Sequence, residues 1–331
     1  YNDRQGLDFR IGEMTWAPYL PVTSYRYLTS EVKQVTFKHK FDDERKNKYR
    51  KLKTSPYANE EVNRLVNACL NATSVGQDLV PDMLNLAYYA GNYDHRPVSE
   101  LPMEMQDTYV RLDANLAELL DIIDRKVGLS NTLFYITSTG YTDAEPLDHT
   151  KYRIPTGEFH IKRCAALLNL YLAAIYGEGQ YVEASHEQEI YLNHKLIEQK
   201  HLNLTEILER SSDFLVQFSG VKDVYSSHRI MLGSWTPDLD KVKNRYNKSC
   251  SGDLWVEVLP GWTILRDHSL DTKVVRNIYT SAPFILMGWS VRPEIIYSPI
   301  QIGHIAPTLA HFMRIRAPNA SALPPLADIW K

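Results

Sequence analysis

Between Met105 and Val127 apolar side chains recur every three or four positions, at Tyr109, Leu112, Leu116, Leu119, Ile123 and Val127, and Gly128 follows. That spacing predicts one long amphipathic helix stopped by a glycine. The pattern then changes. Leu133, Phe134, Tyr135 and Ile136 form a short apolar, aromatic and β-branched run ending before Gly140. A run of that kind predicts a buried parallel strand in an α/β sheet. A second buried strand is predicted at Met83–Tyr89, ahead of the polar loop from Ala90 to Pro97. Strand, loop, helix and strand in this order predict a right-handed βαβ unit. The turn after Ile136 then lies where open α/β sheets place their ligands.

The rest of the chain alternates in the same way. Glu60–Ala72 has apolar residues at helical spacing and an acidic first turn, which predicts a helix. Ile154-Pro155-Thr156-Gly157 opens a helix from about Phe159 to Tyr176. Strands are expected at Glu189–Leu192 and Val221–Tyr225, with a helix near Leu204–Phe218 between them. A strand at Gly252–Leu259, a buried strand at Pro283–Gly288 and a helix opening at His304–Ala310, with Pro307 in its first turn, complete the series. The predicted division is a loop-rich excursion over 1–55, a core α/β part over 56–180, an inserted α+β subdomain over 181–250 and a C-terminal core part over 251–331. The expected fold class is α/β, a mixed and mostly parallel sheet flanked by helices, with that α+β insertion.

Composition narrows the function classes. Hydrophobic residues at 44% and charged residues at 23% allow a substantial core. A net charge of -3 gives no electrostatic footprint for nucleic acid. No apolar run approaches the ~20 residues of a membrane span. Cys69, Cys164 and Cys250 have neither zinc-ligand spacing nor an even count for a disulfide framework. Cys164, in an apolar helical pattern, is expected in the core. The start at Tyr1, without Met, is the pattern of a processed or truncated N-terminus.

Four stretches, taken together and in order, resemble the alkaline phosphatase superfamily. They are Glu104–Asp113, Ile154–Gly157, Ser251–Trp262, and Pro283–Leu309 with its Gly288-Trp289 and Ile305-Ala306-Pro307-Thr308-Leu309. The likeness is greatest to the bacterial branch with type I phosphodiesterase/nucleotide pyrophosphatase character, common among Bacteroidota. The resemblance implies a mostly parallel sheet flanked by helices, two zinc ions, and hydrolysis of phosphate esters by a Thr or Ser nucleophile. It implies export to the periplasm or cell surface. The family's nucleophile and first metal ligand lie in an N-terminal portion with no counterpart among these residues. The expected partner is therefore that portion of the same protein, or a separate chain completing the fold, within a larger complex.

Set against the family's remaining metal ligands, the positions hold other residue types. An Asp and a His four residues apart become Asn92 and Arg96. An Asp-His pair after the 133–136 strand becomes Ser138-Thr139. A last His falls near Thr272, with His268 close by. Zinc takes anionic oxygen or neutral imidazole. Asn92 offers a carbonyl, Ser138 and Thr139 neutral hydroxyls, and Arg96 a cation that does not lose its proton. Two like unit charges ~4 Å apart repel by about 4 kcal/mol at an effective dielectric of about 20, and a dication doubles that. The sequence therefore predicts a family member without bound zinc, without other cofactor and without catalytic residues.

Two alternatives use neighbouring side chains. Asp94 and His95 could form a shifted metal site with Asp143, Asp148 or His149, which would restore a zinc phosphatase or phosphodiesterase completed by an N-terminal fragment. Tyr93, Asp94, His95, Tyr141 and Asp143, with Tyr88, Tyr89 and Trp289 nearby in the pattern, could line an old cleft that binds a glycan or nucleotide.

Overall fold

The structure is a computed structural model that describes residues 6–26, 36–41, 48–96, 98, 100–138, 153–265, 272–275, 281–327 and 329. The chain divides into two compact units, 1–145 with 280–331, and 146–279. No described helix is long and apolar enough to cross a membrane.

The first unit is built on the predicted long helix, which runs from Pro102 to Lys126 with Glu104 in its first turn and Arg125 and Lys126 in its last. Proline at the start and charges matched to the helix dipole suit both ends. Its Leu119, Ile122 and Ile123 pack against Val66 and Leu70 of the helix Tyr57–Ala72. The N-terminal half of the same helix buries polar groups instead. Asp107 is fully buried and accepts from Trp16 Nε1 at 2.5 Å, the Tyr19 amide at 2.7 Å, the Tyr25 hydroxyl at 2.5 Å and Arg111 Nε at 2.8 Å. Four donors fill the carboxylate's acceptor positions, so its burial leaves nothing unsatisfied. One helical turn away, buried Glu104 meets His39 Nε2 at 2.9 Å. Around these two acids Ile11, Trp16, Tyr25, Phe37, Phe41, Leu52, Tyr93 and Met103 form a core cluster. The excursion is thus tied to the helix by a buried charge as well as by apolar packing.

Leu133–Ile136 is a strand, as predicted, and Ile285–Gly288 pairs with it. The pairing is antiparallel, with Ile285 opposite Ile136 and Met287 opposite Phe134. Gly288 has φ 113°, and a Cβ there would lie 2.1 Å from the Thr132 carbonyl oxygen, so the close approach needs glycine. Three expectations are corrected here. Neither strand is buried, every residue of both being at least partly exposed. The partner of 133–136 runs antiparallel to it. Met83–Tyr89 is extended but joins no ladder among the described residues, so the βαβ unit is not formed by these two segments. Its hydrogen bonds go to a helix instead. Asn59 Nδ2 donates to the Tyr89 carbonyl at 2.9 Å, and the Tyr89 amide donates to Asn59 Oδ1 at 2.7 Å. The Tyr88 hydroxyl donates to Asn63 Oδ1 at 2.5 Å. The Asn59 amide plays the part of a neighbouring strand, while Leu86 and Tyr88 turn into the helical core that Phe134 also touches.

The second unit centres on a four-stranded antiparallel sheet in the order Val182–His186, Glu189–Leu192, Leu254–Val258, Val221–Ser226. Alternation is strict in the inner strands, and Leu254, Val256 and Ile190 are fully buried. Leu168 and Leu172 of the helix Ile161–Tyr176 and Ile207 and Leu215 of the helix Leu204–Leu215 close over the sheet. Tyr225, Ile230, Leu239 and Val242 make a second, smaller cluster. Glu158–Phe159 pairs in parallel with Thr263–Leu265, which pairs antiparallel with Thr272–Val274. The described sheets are therefore mixed, and antiparallel except for that one pair.

Cys164 is buried in this core as expected, and burial pushes its thiol up to about 11 from an ordinary value of 9. At pH 8 that leaves roughly a hundredfold less thiolate than the unfolded chain offers. Labelling with iodoacetamide should therefore spare Cys164 in the folded protein and reach it on denaturation. Equal labelling in both states would contradict the packing. Asp107→Ala should cost about 3–5 kcal/mol in urea denaturation, because Arg111 and the two buried aromatic donors lose their acceptor. A change near zero would remove Asp107 from its place at the centre of this unit.

Candidate functional site

The loop Gly91–Arg96 holds most of the described candidate residues, and its shape is set from below. Tyr93 is buried. Its ring meets Trp16 edge-on at 5.1 Å between centroids and lies 4.6 Å from His39. The Tyr89 hydroxyl donates to the Asn92 carbonyl at 2.5 Å. The Asp94 amide donates to Thr54 Oγ1 at 3.1 Å. Asp94 and His95 both take left-handed backbone angles, φ 52° and 56°. Asp and His adopt that region more readily than most residues, yet two in succession need support from their surroundings. The fixed Tyr93 ring and the Thr54 bond provide it.

The side chains of this loop are engaged with neighbours. Asp94 Oδ1 faces Arg50 Nη1 at 3.1 Å, without the alignment of a hydrogen bond. Arg96 Nε donates to Glu100 Oε2 at 2.9 Å, in a half-exposed pair four residues apart in sequence. His95 lies edge-on to the Tyr89 ring at 6.4 Å. Asn92 is buried, and its Nδ2 has no hydrogen-bond partner among the described residues. A buried amide nitrogen in that state costs free energy.

The other predicted positions lie elsewhere. Ser138 is exposed, just beyond the Leu133–Ile136 strand. Thr139, Tyr141 and Asp143 lie outside the described residues, as do Asp148, His149 and His268. Thr272 begins a strand of the second unit, opposite Leu265. Of the aromatic residues proposed for a cleft, Tyr88 is bonded to Asn63 and Tyr93 is core. Burial first, then the charge of Glu118, pushes the Tyr88 phenol up to about 12. Trp289 is 45% exposed, its ring 6.5 Å from Phe312.

Zinc needs a carboxylate, thiolate or neutral imidazole at each ligand position. Asn92 and Arg96 do not meet that need, and Asp94 already has a cationic neighbour. Among the described residues no three of His, Cys, Asp and Glu come together in a group that could hold a metal ion. Sequence reasoning missed the groups that shape this loop, Arg50 and Thr54 some forty positions upstream and Trp16 further still. No local pattern marks them, because each acts through a contact distant in sequence.

The architecture is that of an alkaline phosphatase-like α/β protein. The solved structure of wild-type alkaline phosphatase PafA superposes with a TM-score of 0.74 at 22% identity, covering 99% of this chain and 65% of that one. Among curated sequences, alkaline phosphatase PafA of Elizabethkingia meningoseptica is 25% identical over 287 residues, 84% of this chain and 51% of that protein. Alkaline phosphatase PhoV of Synechococcus elongatus is 22% identical over 338 residues, 99% of this chain and 61% of that protein. Residues 2–281 match the type I phosphodiesterase / nucleotide pyrophosphatase family, and the chain belongs to it. It spans about half to three-fifths of the length of these curated relatives.

The loop chemistry gives a direct test. Asn92→Asp places a carboxylate, the ligand type that the family resemblance implies for this position, in a buried site. Without metal it should lower stability by about 3 kcal/mol, and added zinc should leave the melting temperature unchanged. A rise of several degrees with stoichiometric zinc would show that the rest of a metal site survives around it.

Proposed function

We propose that this protein is a phosphodiesterase-family member that has given up hydrolysis and serves as a structural or binding component of an extracytoplasmic assembly. The observation that supports this most is the Gly91–Arg96 loop. Where the family resemblance calls for two metal ligands stand a buried amide and a guanidinium. The carboxylate between them faces Arg50, and the guanidinium holds Glu100. Without a dication there is no Lewis acid to polarise a phosphoryl oxygen and none to lower the proton affinity of a hydroxyl nucleophile. The substitutions at Ser138, Thr139 and Thr272 point the same way by residue type. Export to the periplasm or surface and division at 55, 180 and 250 belong to the same reading.

A second reading keeps the activity. The consecutive left-handed residues Asp94 and His95 are backbone outliers of a kind that gathers at functional sites. In that reading they are shifted ligands, and a part of the protein beyond these residues supplies the nucleophile. Hydrolysis separates the two. The purified native protein should turn over neither p-nitrophenyl phosphate nor bis-p-nitrophenyl phosphate above the protein-free rate, with or without added zinc. Turnover that chelation abolishes and zinc restores would establish the second reading.

A further inference from the structure

We infer that the outer face of the helix Ile161–Tyr176 in the second unit is a self-association surface, on which a second copy of this chain docks with the two helices antiparallel and crossing at Leu170.

This helix is apolar on both its inner and its outer side. Of its 16 residues only Lys162 and Arg163 carry a charge. The inner side, with Cys164, Ala165, Leu168 and Leu172, closes over the four-stranded sheet. On the outer side Ala166, Leu167, Leu170 and Ala174 are exposed, Leu170 at 65% and Leu167 at 37%. Their spacing of three and four, continued back to Arg163, draws one stripe along the helix, on the side away from Leu168. The neighbouring helix Leu204–Leu215 shows how a solvated face is made in the same unit. It buries Ile207, Leu208 and Leu215 and exposes Glu206, Glu209, Arg210 and Asp213. The two helices lie side by side, the Tyr171 and Phe214 rings stacked 4.3 Å apart. One is therefore charged on its outer side and the other is not. A helix that is apolar all round is one that is covered.

The order of residues along the stripe identifies what covers it. Ala166 and Ala174 stand four residues on either side of Leu170, and Lys162 and Glu178 eight. A two-fold axis at Leu170 therefore sets this leucine on its own copy, Ala166 on the partner's Ala174 and Leu167 on the partner's Ala173. Large side chains meet small ones, which lets the two faces interlock. The same axis brings the basic end, Lys162 and Arg163, to the partner's exposed Glu178, and symmetry makes that attraction twice. A parallel pairing would put Arg163 on Arg163. Glu178 and Glu206, which accepts from the Tyr176 hydroxyl at 3.1 Å, flank the end of the stripe and disfavour an anionic lipid surface as its occupant. The face is one helix wide and about 24 Å long. It belongs to the small interfaces, below about 1,200 Å² in total, so the dimer forms and separates with concentration. The inference does not depend on whether the protein hydrolyses phosphate esters.

Sedimentation velocity of the native protein from roughly 1 to 100 µM tests it. The mass should rise from monomer towards dimer across that range. Leu170→Glu, an exposed change to a good helix former, should leave the melting temperature unchanged and hold the protein monomeric at every concentration. Arg163→Glu should weaken the dimer about tenfold at low salt, since two attractions become two repulsions. Adding Glu178→Arg to it should restore the affinity, an outcome that only the antiparallel register gives. A monomer throughout overturns the inference, as does a dimer that survives Leu170→Glu or that ignores the charge exchange. Binding to phosphatidylcholine vesicles that Leu170→Glu abolishes would assign the face to a membrane and overturns it equally. Association is read without reference to metal or turnover, so this inference and the proposed inactivity can fail separately.

Discussion

A buried carboxylate organises the first unit. Asp107 gathers donors from Trp16, Tyr19, Tyr25 and Arg111 at a position with no solvent exposure. Such a group adds little net stability compared with an apolar replacement of the same shape, since desolvation offsets most of the attraction. What it imposes is geometry. An indole, a phenol and a main-chain amide from an irregular stretch must all reach one pair of oxygens, and few backbone paths allow it. Trp16, fixed in this way, is the ring that Phe37 and Tyr93 meet edge-on and His39 meets at a tilt. Through Tyr93 the constraint reaches the Gly91–Arg96 loop. The loop's course is thus maintained by contacts that begin far from it in sequence.

The backbone frame of this loop is separate from the chemistry of its side chains at 92 and 96. The frame of the Gly91–Arg96 loop consists of a buried ring below, the Tyr89 hydroxyl on a carbonyl and the Thr54 hydroxyl on an amide. None of these contacts uses the side chain of residue 92 or 96. An amide and a guanidinium can occupy those positions without disturbing the path of the backbone. The local electrostatics then settle among residues at hand, Arg50 facing Asp94 and Arg96 holding Glu100.

Much of the fold could be read in advance. The periodic run ending at Val127 gave the long helix to within a turn, and Leu133–Ile136 and Glu189–Leu192 were found at their full extent. Periodicity reports which side of an element is apolar, and on the long helix it marked the buried Leu119 and Ile123, while Tyr109 is exposed and Glu104, Asp107 and Asn115 are buried instead. It does not report which strand lies next to which, in what direction, or whether the apolar side is covered. That is why 133–136 was expected buried and parallel and proved antiparallel and half bare. Met83–Tyr89 shows the same limit. Its composition is that of a strand, but strand formation needs a partner backbone, and here the side chain of Asn59 takes that role. The Asp107 cluster was invisible because three of its four donors lie more than eighty positions away in sequence. Of the candidate site, the structure places Asn92, Tyr93, Asp94, His95 and Arg96 together in one loop, a grouping their adjacency in sequence already announces.

We propose that the positions at which the family resemblance implies zinc ligands do not hold zinc in this protein. Inductively coupled plasma mass spectrometry of the native protein, purified without chelators and equilibrated with micromolar zinc before desalting, addresses it most directly. Well under a tenth of a zinc ion per chain is the result predicted by the amide and guanidinium of this loop. One or two ions per chain, retained through desalting, would contradict it.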